Sequence, residues 1–252
     1  MIIIKGGHCT IMSEQKSNTL IGLLLCGGLG ERMKPFTIDN NKVMLEVGEK
    51  TLLDIHLEEF KRANVDCVIL ISNSKYLPII QHINQNYPNL EYELIIEESP
   101  KGTVNALKLA RDLIENQLVY VRFGDNFTSD LTSDKINQSL PRNNDFSGVI
   151  IFTKWDKNPQ FFGVCQFDER GQVAGIVEKP NIPPSNIVVG GLYLFDRDLT
   201  LYIDRIPEYS DGSIVNLLNL YNLESTVHEV RVNRTGWVDC GTPEGLTIVR
   251  EI

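Results

Sequence analysis

The sequence predicts an α/β fold, a mixed and mostly parallel sheet flanked by helices, with a smaller antiparallel lobe built from the C-terminal half. Three observations predict it. From Leu20 onward, short β-rich runs alternate with segments of helical periodicity, the pattern of βαβ units. Residues 20–25 are almost all apolar, as a strand buried on both faces of a parallel sheet requires, and they run into Gly27-Gly28-Leu29-Gly30. Beyond residue 145 the β-rich runs are separated by turns rather than by long helices.

Residues 1–19 read as an N-terminal tail, with too short an apolar start for a signal peptide, and Met12 is a candidate translation start. After the first strand, residues 51–63 place Leu53, Leu57 and Phe60 at i, i+4, i+7, an amphipathic helix with Thr51 as its N-cap. A strand at 67–71, a helix at 77–86 and a strand at 92–96 follow. The next helix, 103–115, carries Val104, Leu107, Ala110 and Ile114 on one side, and the strand 118–123 leads into Gly124-Asp125-Asn126. In the second half, 149–153, 164–167, 173–177 and 188–195 read as strands; a helix at 214–221, a strand at 226–232 and a short helix after Pro243 close the chain. There is no internal repeat and no low-complexity linker. The expectation is one domain over 20–252, with lobes of about 20–145 and 146–252.

Composition limits the partners. The 24 Lys and Arg against 33 Asp and Glu give a net charge of −9, which disfavours a nucleic-acid backbone and an anionic membrane surface. The five cysteines, at 9, 26, 67, 165 and 240, make no Cys-x-x-Cys pair and point to reduced thiols in the cytoplasm. The apolar run 20–26 is far short of the roughly 20 residues that cross a bilayer. Small molecules or protein are the expected partners. His8, His56, His82 and His228 have no neighbour that would make a nucleophile or zinc set, so they read as packing or surface residues, as do Trp155 and Trp237 as packing residues.

The loop from Cys26 to Thr37 follows the first strand, where open α/β sheets place ligands. Its glycines allow backbone N–H groups close to phosphate oxygens, and Arg32 adds a permanent cation. No glycine at 33 completes a dinucleotide fingerprint, and no Gly-Lys-Ser or Gly-Lys-Thr makes a Walker loop. On the glycines alone, a turn without a ligand remains an equal reading. Asp125 at a strand end reads either as a metal ligand or as an Asx-turn residue, and Asp239 taken alone reads as a capping or turn residue.

Together with 42–50, Lys-Val-Met-Leu-Glu-Val-Gly-Glu-Lys, the loop resembles the signature of sugar-1-phosphate nucleotidyltransferases, Gly-Gly-x-Gly-x-Arg-x-x-Pro-x-Thr followed by a Lys-Pro-Met-Leu-like stretch. Later blocks similar to the same family occur in its order: Gly102-Thr103, Phe123-Gly-Asp-Asn126, Phe162-Gly-Val-Cys-Gln-Phe-Asp168, Val177-Glu-Lys-Pro180, Asn186-Ile-Val-Val-Gly-Gly-Leu-Tyr-Leu-Phe195 and Trp237-Val-Asp-Cys-Gly-Thr-Pro-Glu244. Glu31, Val43 and Thr51 depart from the pattern.

The resemblance implies a Rossmann-like nucleotide-binding lobe, a sugar-binding second lobe, and transfer of a nucleotidyl group from a nucleoside triphosphate to a sugar-1-phosphate for polysaccharide supply. By resemblance, Asp125 and Asp239 hold Mg²⁺, Arg32 and Lys42 act on the triphosphate, and Lys179 holds the acceptor phosphate. Gly27, Gly28, Gly30, Glu97, Gly102 and Thr103 would line the nucleotide, and Gly163, Glu178, Gly190 and Gly191 the sugar, with a Cβ at these glycines colliding with the ring. Glu97-Glu98-x-Pro100-x-Gly102-Thr103 resembles guanylyltransferases, whereas 185–193 resembles thymidylyltransferases. The resemblance also allows a homo-oligomer. Two other readings stay open: a cytidylyltransferase for a compound such as phosphocholine, and a non-catalytic nucleotide-sugar-binding paralogue.

Overall fold

The computed structural model describes residues 2–6, 19–34, 37–38, 40–141, 146–207, 212–234 and 236–250, apart from the side chains of 31 and 130–132. The first half runs β1 (Ile2–Gly6), β2 (Leu20–Cys26), β3 (Glu46–Val47), β4 (Lys50–Thr51), α1 (Leu52–Arg62), β5 (Cys67–Ser72), α2 (Leu77–Asn86), β6 (Tyr92–Ile96), α3 (Thr103–Leu109), α4 (Arg111–Ile114), β7 (Leu118–Phe123), β8 (Asn126–Thr128) and α5 (Asp130–Ser139). The second continues β9 (Val149–Trp155), β10 (Gly163–Phe167), β11 (Val173–Glu178), β12 (Ile187–Phe195), α6 (Leu199–Ile203), α7 (Ile214–Glu224), β13 (Val227–Arg231), β14 (Trp237–Asp239) and α8 (Pro243–Arg250).

The main sheet follows β1-β6-β5-β2-β7-β12-β10-β11, with β9 against β12 and β13 beyond it. Strands β6, β5, β2 and β7 are parallel, and β12 joins β7 antiparallel, so the smaller lobe continues the same sheet. Chain order reverses beside β2: β5 and β6 lie on one flank and β7 on the other. That switch point opens a crevice at the carboxyl ends of β2 and β7, where a ligand fits. The apolar run of β2 is buried because helices cover both faces, α1 and α2 on one and α3, α6 and α7 on the other.

The sequence expectations for β2, α1, β5, α2, β6 and β7 agree with the structure within a few residues. Thr51 caps α1 as expected: its hydroxyl accepts the Asp54 N–H at 3.1 Å, and the Asp54 carboxylate accepts the Thr51 N–H at 2.8 Å. Three differences stand out. Residues 2–6, read as part of a tail, form a strand antiparallel to β6, while Met12 lies outside the described residues. The helix expected over 103–115 breaks at Ala110, whose ψ of 2° leaves the helical range. Cys67 is disulfide-bonded, against the expectation of five reduced thiols, whereas Cys26, Cys165 and Cys240 are free, with burial pushing each thiol up to about 12. No helix among the described residues is long and apolar enough to cross a membrane.

Beneath the crevice, the Arg122 guanidinium is fully buried on β7. Its Nε donates to His56 Nδ1 at 2.9 Å, Nη1 to the Tyr120 hydroxyl at 2.7 Å and Nη2 to Thr128 Oγ1 at 2.8 Å. A guanidinium only donates, so Nδ1 accepts, the ring proton sits on Nε2, and that N–H donates to the Gly124 carbonyl at 3.1 Å. Burial first, then the Arg122 charge, hold the imidazole well below 6.5. The unfolded chain therefore binds a proton that the folded chain refuses. Stability is expected to fall as pH drops below about 6.5, by up to about 1.4 kcal/mol per pH unit until the native pKa is reached. Urea unfolding of wild type and His56→Leu between about pH 7.5 and 5.5 checks this, since the variant should lack that part of the slope.

A candidate active site at the sheet switch point

The glycine loop is a preformed turn. Gly30 adopts φ 69°, its carbonyl accepts the Thr37 hydroxyl at 2.7 Å and the Met33 N–H at 2.9 Å, and a Cβ there would lie 2.9 Å from Thr37. Met33, fully buried, anchors the following turn and leaves Arg32 exposed at the crevice. Pro35 of the motif and the side chain of Glu31 lie outside the described residues. Lys42 begins a one-turn helix capped by Asn41, whose side chain also donates to the carbonyl of Cys26 at 2.8 Å. The cap therefore fixes Lys42 relative to the end of β2.

Asp125 and Asp239 are far apart in sequence, and two three-residue strands bring them together. β14 pairs antiparallel with β8, Asp239 opposite Asn126, and the Cys240 N–H donates to the Asp125 carbonyl at 2.7 Å. The space beside Gly241 shows the convergence: a Cβ there would lie 2.6 Å from Asp239 Oδ1, 3.2 Å from Asp125 Oδ2 and 3.1 Å from Arg32 Nη2. Lys42 Nζ donates to Asp125 Oδ2 at 2.9 Å, Asn126 Nδ2 to Asp125 Oδ1 at 3.0 Å and the Gly241 N–H to Asp239 Oδ1 at 2.7 Å. The carboxyl of Asp239 is pushed up by burial and by the neighbouring Asp125 charge, against the Gly241 N–H, Arg32 and Lys42.

Two half-buried carboxylates repelling each other at an open crevice are the donor set a hard cation takes. No group of three or more His, Cys, Asp or Glu that could hold a metal occurs among the described residues. The pair fits Mg²⁺, which is commonly held by one or two carboxylates with substrate phosphates and water completing its shell.

Two cavities meet at Asp125. One, of about 210 Å³, is bounded by Gly27, Gly28, Lys42, Glu97, Pro100, Gly102 and Thr103. The other, of about 820 Å³, is bounded by Arg32, Gly163, Glu178, Lys179, Gly190, Gly191, Trp237 and Asp239. Gly102, Thr103, Phe123 and Asp125 border both. The structure thus brings every residue singled out above except Gly30 to one of the two walls, and Gly30 shapes the loop behind them. Glu97, only 8% exposed, accepts the Lys101 N–H at 3.1 Å, and burial raises its carboxyl. Gly102 takes φ 100° and lies against Gly212, where a Cβ would come within 2.8 Å of backbone.

In the larger cavity, Lys179 departs from β geometry with φ 42°, its N–H donating to the Phe162 carbonyl at 3.0 Å and its ammonium 3.3 Å from Glu178 Oε1. A non-glycine residue in this region costs about 1 kcal/mol, and such outliers cluster at functional sites. The sugar ring expected against Gly190 and Gly191 is not what their missing Cβ atoms clear. A Cβ would lie 2.7 Å from the Trp237 ring at 190 and 2.5 Å from Phe123 at 191, so both glycines make room for protein side chains. At Gly163 the nearest atom would be Val215 Cγ2, at 3.2 Å.

Sequence reasoning missed Phe123, Phe161, Tyr193 and Ser213 in this wall, and read Trp237 as packing only. It also missed Lys154, buried with Nζ 4.2 Å from the Trp237 ring centroid and donating to the Trp237 carbonyl at 3.1 Å. A lysine within a strand carries no signal of such a partner.

The nucleotidyl transferase family profile matches residues 21–251. A glucose-1-phosphate thymidylyltransferase of Mycolicibacterium smegmatis is 30% identical over 233 residues, which is 89% of this chain and 79% of that one. The UTP–glucose-1-phosphate uridylyltransferase AglF of Haloferax volcanii is 26% identical over 228 residues, 88% of this chain and 91% of its own. A solved UDP-glucose pyrophosphorylase from Acinetobacter baumanii superposes with a TM-score of 0.78 at 19% identity, covering 92% of both chains, a likeness of fold.

Proposed function

Because the chain belongs to the nucleotidyl transferase family, we propose that it joins a sugar-1-phosphate to a nucleoside triphosphate, with guanine as the preferred base. An oxygen of the sugar phosphate attacks the α-phosphorus, the bond to the β-phosphate oxygen breaks, and an NDP-sugar and pyrophosphate leave. One observation carries this reading: two acids and two cations, Asp125, Asp239, Lys42 and Arg32, meet where a smaller and a larger cavity join.

Two anions must approach each other, so the chain's task is positioning and neutralisation. Arg32 and Lys42 supply fixed positive charge beside the triphosphate, and Lys179 receives the phosphate of the acceptor. Glu178, beside it, accepts hydrogen bonds from sugar hydroxyls. Mg²⁺ held by Asp125 and Asp239 would withdraw charge from the reacting phosphate oxygens when bound. No activated nucleophile is needed, since the acceptor phosphate is already an anion at neutral pH.

The base assignment rests on Glu97. A buried carboxylate accepts and cannot donate, which suits the N1–H and N2–H of guanine and not the O4 and O2 of thymine or uracil. The names of the relatives favour a pyrimidine nucleotide instead. They also favour a sugar phosphate over a phosphorylated amino alcohol, and the presence of both acids with all three cations argues against a non-catalytic paralogue. Pairing ATP, CTP, GTP, UTP and dTTP with several sugar-1-phosphates, read by pyrophosphate release, tests the proposal. Release should be fastest with GTP; faster release with dTTP or UTP refutes guanine, and no release with any pair refutes the reaction.

A further inference from the structure

Arg122 is a permanently charged side chain with no exposure and no carboxylate within ion-pair distance among the described residues. Such a cation is expensive to bury, and its donors go to groups that frame the acidic pair. Through His56, it reaches the Gly124 carbonyl, one residue before Asp125. Through Nη2, it holds the Thr128 hydroxyl, and Thr128 pairs with Trp237 in the β8–β14 ladder that carries Asp239. One guanidinium thus ties α1, the turn bearing the first acid and the strand that registers the second. A hydrophobic core at this point would leave the Gly124 carbonyl without its side-chain donor, and the turn held by backbone bonds and by the contacts of Lys42 and Asn126 with the Asp125 carboxylate.

We propose that Arg122 and His56 are positioning residues, which fix the Gly124–Asp125 turn against β14 and so set the spacing of the Asp125 and Asp239 carboxylates. Neither touches substrate. The inference rests on the reaction proposed above for its kinetic consequence, and its binding consequence is separate.

The test compares wild type, His56→Leu, His56→Gln and Thr128→Val. Glutamine places an acceptor and a donor about as far apart as the two imidazole nitrogens, so it can receive the Arg122 Nε–H and donate to Gly124. Thr128→Val is isosteric and removes only the Nη2 bond, which keeps a folded variant available if His56→Leu does not fold. Mn²⁺ alone, titrated into each protein and followed by the electron paramagnetic resonance of the free ion, reads the acidic pair without turnover. Pyrophosphate release gives kcat and the KM for sugar phosphate.

His56→Leu should weaken Mn²⁺ binding about tenfold and lower kcat about 10²-fold, with KM for the sugar phosphate changed less than about threefold. Thr128→Val should show the same pattern at about a third to a tenth of the size, and His56→Gln should restore both quantities to within about fivefold of wild type. Lowered melting temperature with unchanged Mn²⁺ affinity and kcat would make the network merely structural and overturn the proposal, as would failure of glutamine to rescue. A wild type that binds Mn²⁺ but releases no pyrophosphate would refute the reaction and leave the positioning decided by Mn²⁺ affinity. No Mn²⁺ binding by wild type overturns the positioning proposal.

Discussion

Asp239→Ala is expected to slow pyrophosphate release by about 10³-fold or more, equivalent to about 4 kcal/mol of transition-state stabilisation, while leaving the protein folded. The two parts separate because Asp239 holds its strand through backbone pairing with Asn126, which alanine keeps. Its half-buried carboxylate lies beside Asp125 and is destabilised by burial and by that neighbour. Removing it relieves like-charge repulsion, so the melting temperature should stay level or rise, as at many sites that trade stability for function. Asp125→Ala should lose as much activity and also some stability, because Lys42, with its side chain 13% exposed, would lose its partner. A stopped assay and a thermal melt on the same samples check both; near-normal turnover in either variant would rule out the acidic pair as the reaction centre.

Glu97→Gln should reverse base preference. The carboxylate already takes the Lys101 N–H on Oε1, and the rest of its accepting capacity faces the smaller cavity. Glutamine keeps one acceptor and adds two donors, which matches the N3–H and O4 edge of a pyrimidine better than the adjacent donors of guanine. A hydrogen bond to a charged group contributes about 1.5–3 kcal/mol, so kcat/KM for GTP should fall about 10²-fold while that for dTTP or UTP rises. Proportional loss with every nucleotide would mean that Glu97 only supports the 97–101 turn.

What was legible in the sequence is what local chemistry writes. The apolar run of β2, the Thr51 cap of α1 and the strand leading to Asp125 are each decided within a dozen residues. The site residues themselves were legible through the block order of a family resemblance rather than through geometry. What stayed hidden is non-local. β8 and β14 are three residues each, too short for an alternating pattern, and they exist because they pair with each other. His56 read as a packing or surface residue because its hydrogen-bond partner, Arg122, lies 66 residues away on β7. Gly190 and Gly191 border the larger cavity, but the space left by their missing Cβ atoms was assigned to the ring of a ligand when Trp237 and Phe123 fill it, contacts that only the assembled sheet creates.

The dependence of β8 on β14 also bears on synthesis. As the chain leaves the ribosome from its N-terminus, the parallel strands and their helices can close while Asp125 still has no counterpart, since residues 237–239 emerge near the end of this sequence. The protein would pass through a nearly complete but inert intermediate, and a nascent chain arrested before Trp237 should resist proteases across its first half yet show no turnover.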